Sequence, residues 1–69
     1  MKQISERGSL ELLHDPGDDR NPETFTVRLI EEPEISGSLE VACDWFMLGD
    51  RRLNGSQAQT VKLWNEEFL

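Results

Sequence analysis

Tyrosine is absent from this chain, and cysteine and histidine occur once each, at Cys43 and His14. A single cysteine forms no internal disulfide, so no cystine framework supports the fold. One imidazole and no phenol leave thin material for acid–base or nucleophilic catalysis, and no nucleophile-elbow pattern is present. No apolar run approaches the roughly 20 residues that span a bilayer. The opening "MKQISERGS" interleaves charges with single apolar residues, unlike the core of a secretory leader, and a cytoplasmic protein is expected. Basic residues are scarce as well, with 7 Lys and Arg against 14 Asp and Glu and a net charge of −7. Phosphates would be repelled, which argues against nucleic acid as a direct ligand.

What remains is a chain of 69 residues, 36% of them hydrophobic, sufficient for one domain with a single small core. A domain near this size buries only about 60% of the surface that its unfolded chain exposes. The charge is uneven. Eight acids lie between Asp15 and Glu40 against Arg20 and Arg28, whereas Arg51, Arg52 and Lys62 are followed by no acid before Asn65.

Hydrophobic periodicity gives the elements. Residues 1–7 suggest a mobile arm or short turn. "GSLELLH" (8–14) alternates as a strand, with Leu10 and Leu12 on one face and Glu11 and Leu13 on the other. "DPGDDRNPE" (15–23) is a loop by its prolines, glycine and aspartates. "TFTVRLIEE" (24–32) has the β-branched alternation of a strand, and "PEISG" (33–37) marks a turn in which Gly37 is free to take positive φ. "SLEVACDWFML" (38–48) carries competing periods. As a strand it aligns Leu39, Val41, Cys43, Trp45 and Met47 on one face and leaves Phe46 and Leu48 on the other. As a helix it pairs Glu40 with Asp44 four residues apart. The strong strand and short loop before it favour the strand. At the end, Ser56 suits an N-cap, and Ala58, Val61, Trp64 and Phe68 recur at helical spacing, which predicts a helix over 57–68. The rival is a hairpin across Asn54-Gly55.

The fold class expected is therefore α+β: a small three-stranded antiparallel sheet with a C-terminal helix. The alternative is an all-β meander with 58–64 as a fourth strand. A chain this small is expected to form no cavity of several hundred cubic ångströms.

"HDPGDD" (14–19) is the one cluster with metal-ligand chemistry, but its spacing fits no calcium loop, and an ordinary turn is the expectation, with no cofactor. Cys43, among Val41, Ala42 and Trp45, is expected to be a buried, unreactive thiol. The functional reading rests on charge. Asp18, Asp19, Glu23, Glu31, Glu32, Glu34, Glu40 and Asp44, with Phe46 as an apolar anchor, are the candidate partner-binding residues. The protein they describe is non-enzymatic and occupies a basic, nucleic-acid-binding surface of a larger protein. Its size and charge are similar to those of many mobile-element regulators, although no motif is shared with them. Two other classes compete: a structural subunit that buries the apolar 38–48 face in a homodimer or higher oligomer, and a metal-binding or catalytic module built on His14.

Overall fold

The computed structural model of the chain describes residues 1–42 and 47–69. Its main layer is a sheet of four antiparallel strands in sequence order: β1 (Lys2–Arg7), β2 (Leu10–Asp15), β3 (Thr24–Leu29) and β4 (Ser36–Ser38). A short helix α1 (Leu39–Ala42) follows, then a hairpin of β5 (Met47–Leu48) and β6 (Arg51–Arg52), and last the helix α2 (Gly55–Phe68). The α+β architecture, an antiparallel sheet with a C-terminal helix, is thus the fold. The meander alternative falls because 58–64 lies wholly within α2.

The register follows from the side-chain alternation. Leu10 opposes Leu29 and Leu12 opposes Val27, so the four large apolar side chains of the two central strands share one face. That face is buried with Leu39 and Ala42 of α1, Leu48, Leu53, and Val61 and Trp64 of α2. Burying side chains of this size stabilises by roughly 1.5–3 kcal/mol each. Glu11 and Leu13 project from the opposite face, as the alternation requires. There Glu11 meets Arg28 at 2.6 Å and accepts from Gln3 at 2.9 Å.

Helix α2 runs antiparallel to β3 along the sheet. Gln57 donates to the Ser9 hydroxyl at 2.8 Å near its start, Trp64 Nε1 donates to the Ser5 hydroxyl at 3.1 Å, and the Phe68 ring reaches Phe25 with centroids 6.0 Å apart. Fourteen residues at 1.5 Å rise give about 21 Å, close to the length of the six-residue strands beneath.

Several expectations change. Residues 2–7 are not an arm but the edge strand β1. Ladder bonds to β2 hold it, interrupted by a bulge between Gln3 and Ser5 that leaves Ile4 outside the pairing. The 38–48 stretch is not one strand. Ser36–Ser38 pairs with β3, and the Ser38 hydroxyl then accepts from Val41 N as the chain enters α1. Cys43, Asp44, Trp45 and Phe46 lie outside the described residues. The single face expected for Leu39, Val41 and Met47 also breaks up: Leu39 is buried but Val41 and Met47 are exposed, while Ala42 and Leu48 are buried, because a helical turn intervenes between strands. Gly37 has no positive φ. It sits in β4, where a Cβ would meet Leu48 Cδ1 at 3.3 Å, so its missing side chain admits the hairpin. Asn54, not Ser56, caps α2: its side chain accepts from Gln57 N while Gln57 reaches back to Asn54 N, a reciprocal capping box.

Candidate functional site

The ladder dictates which loops meet. Asp15 opposes Thr24 and Thr26 opposes Ser38, so the 16–23 loop, the start of β3 and the entry to α1 gather at one end of the sheet. Helix α2 delivers its last turn to the same place. At the far end lie the Gly8–Ser9 turn, residues 30–35 and the β5–β6 hairpin, joined by Ile30 N donating to Ser9 O and by the Arg51–Glu32 ion pair. Six residues of β3 separate the two ends by about 20 Å.

This arrangement divides the acidic segment. Asp18, Asp19, Glu23 and Glu40 stand at the loop end together with Asp15. Glu31, Glu32, Glu34 and Asp50 stand at the hairpin end, where Arg7, Arg51 and Arg52 are also placed. Arg51 binds Glu32 of the same chain, so that end is close to charge-balanced. The loop end gains two acids that reading along the chain did not single out, Glu66 and Glu67, both exposed in the last turn of α2. Among the described residues, seven carboxylates are thereby gathered at one end against Lys2 and Arg20. The carbonyl end of α2 adds its partial negative charge. Asp44 and Phe46 lie outside the described residues.

The loop itself is built by its own carboxylates. Asp15 accepts from Gly17 N at 2.9 Å, and Asp18 accepts from Arg20 N at 2.8 Å and Asn21 N at 2.9 Å. The donors from Arg20 and then Asn21 hold the Asp18 carboxyl below its usual value, because they favour the charged form. Asp18 N donates to Asn21 O, closing the turn. "HDPGDD" is therefore a turn in which two of the three aspartates bind backbone. Among the described residues no three His, Cys, Asp or Glu side chains converge as ion ligands do. His14 Nε2 lies 2.7 Å from Glu23 Oε1, and its ring stacks on Phe25 at 4.7 Å between centroids. His14, Phe25 and Phe68 form an aromatic layer that closes this end of the core.

Beside that layer a cleft of about 380 Å³ opens between β3, β4 and the end of α2. Its wall is apolar, from Phe25, Leu39 and Leu69, with the Thr24 and Ser38 residues and the carboxylate residues Glu23 and Glu40 around it. The expectation that so small a chain leaves no such space does not hold. β4 is only three residues long, and the cleft lies at the start of β3 where the chain passes from β4 into α1. Chemically the end offers carboxylate acceptors around an apolar recess, which suits a ligand that is both cationic and partly apolar. Comparison with protein families, curated proteins and solved structures finds no match.

Proposed function

We propose that this is a small acidic, non-enzymatic binding protein whose loop end occupies a basic surface on a larger protein, in the place that nucleic-acid phosphates would take. The observation that carries the reading is the gathering of seven carboxylates against two basic residues at one end of the sheet, while at the hairpin end four acids face three arginines among the described residues. A one-ended charge of this kind steers encounter with a basic partner and is screened over about 8 Å at physiological ionic strength. Glu66 and Glu67 strengthen it, since acids at a helix C-terminus oppose the helix dipole and are not placed there by stability.

The test starts from a partner captured from lysate, purified, and titrated with the full chain. The triple reversal Asp19→Lys, Glu40→Lys and Glu66→Lys is expected to weaken binding about 100-fold or more and to flatten its salt dependence. The pair Glu31→Lys and Glu34→Lys at the other end is expected to change it less than threefold. The partner's hold on a DNA duplex should fall as the native chain is added. Equal losses from both variants, or an undisturbed duplex complex, would defeat the reading.

A second reading has its own observation. Val41 is 69% and Met47 40% exposed, flanking the apolar stretch in the chain. These are side chains that a structural subunit would cover in a homodimer.

A further inference from the structure

We infer that the cleft beside Phe25 receives an arginine side chain from the basic partner, an inference that rests on the binding role proposed above. The cleft combines two demands that few groups meet together. Its wall of Phe25, Leu39 and Leu69 needs apolar contact, and its Glu23 and Glu40 carboxylates need positive charge. The two acids come from different elements, one before β3 and one on α1, so a ligand between them is approached by acceptors from two sides. Glu40 has no ion pair among the described residues, and Glu23 has only His14 through one oxygen, leaving the other to accept. The volume, about 380 Å³, lies near the lower end of the roughly 300–1,000 Å³ of small-ligand sites, enough for one long side chain and its backbone.

Arginine fits better than lysine on three grounds. Its planar head presents five donors in a fixed fork, which divides between separated carboxylates. It is less strongly hydrated than an ammonium, so it enters an apolar recess at lower cost. Its plane also stacks on an aromatic ring such as Phe25. The seven carboxylates of this end supply the long-range attraction, and the cleft supplies the selection.

The test uses the isotope-labelled full chain and three small probes: blocked arginine, blocked lysine and blocked norleucine, each as the N-acetyl methylamide. Blocked arginine is expected to give saturable amide shifts centred on Thr24, Phe25, Ser38, Leu39 and Glu40. Blocked lysine should bind at least threefold more weakly, and norleucine should give no saturable shift. Glu40→Gln, an exposed position whose change leaves the core intact, is expected to weaken the arginine site about threefold to fivefold, the size of one partly screened ion pair. Glu34→Gln at the other end should leave it unchanged. Lysine binding as tightly as arginine, or shifts spread equally over both ends, would overturn the assignment. A peptide of alternating arginine, glycine and serine separates the two levels. If it shifts residues 15–21 and Glu66–Glu67 but not the cleft, the cleft inference fails and the binding role stands. If neither probe nor peptide gives a saturable shift anywhere, both fail.

Discussion

At Gly17 the backbone takes a φ of +74°, and a Cβ would lie 2.7 Å from Pro22 C and 2.8 Å from Glu23 N, nearer still to Asn21 O. Those atoms are backbone in a closed turn and have nowhere to go. Gly17→Ala is therefore expected to cost about 2–4 kcal/mol, from the left-handed conformation and the overlap together, measured by urea unfolding. A domain of this length holds about 3–10 kcal/mol in all. Next to it, Asp18 links the loop to pH. Its carboxyl titrates below the ordinary value of 3.8 in the folded chain, so its stabilising effect is complete above that value and disappears as pH falls through the lower, folded one. Stability followed by thermal melting from pH 5 to 2 should decline more gently in Asp18→Asn, which keeps an oxygen acceptor but no titration. An identical decline in both proteins would remove Asp18 from the acid response.

Helix α2 illustrates how an element is both secured and compromised. Its start has a full capping box, Asn54 with Gln57, and a tie from Gln57 to Ser9. Asn54→Ala is expected to cost about 0.5–2 kcal/mol by denaturant unfolding. Its end has the reverse: no basic residue in the last turn, and two acids against the carbonyl dipole. Replacing Glu66 and Glu67 by Lys should thus raise the melting temperature by about 2–5 °C while weakening partner binding. A variant that gains no stability would mean the two acids do not feel the helix end. Between these ends Trp64 anchors the helix, 2% exposed and bonded to Ser5. The edge strand β1 depends on the same contact, since Ser5 is the half-buried position within an otherwise exposed strand.

For the whole molecule the consequence of one-sided charge is self-repulsion. Seven carboxylates share an end with two basic residues, and salt screens what the fold has gathered. The melting temperature should rise between 10 and 300 mM NaCl by calorimetry. The rise should shrink more in Glu40→Gln than in Glu34→Gln, because the first leaves the crowded end and the second the balanced one. Equal salt slopes in the two variants would show that the charge acts as a net total rather than as a local field.

Local pattern and tertiary placement decided different things here. The strand over β3 was legible because Phe25, Val27 and Leu29 alternate with polar residues, and that period has one structural meaning. The helix α2 was legible for the same reason, through Ala58, Val61 and Trp64, all buried. The edge strand β1 was not, since its exposed polar residues have no period of burial, and only the β2 backbone beside it pairs its hydrogen-bonding groups. Nor was the break of 38–48 into β4, α1 and β5, where strand and helix periods coincide and contact with the core chooses between them. The acids at 15–40 were visible as a contiguous run, but the chain reverses within it. Antiparallel pairing sends Glu31, Glu32 and Glu34 about 20 Å from Glu23 and brings Glu40, Glu66 and Glu67 back to it. Composition alone set the size of the charge. The direction in which it points belongs to the ladder register and to the antiparallel course of α2, which join residues more than forty positions apart.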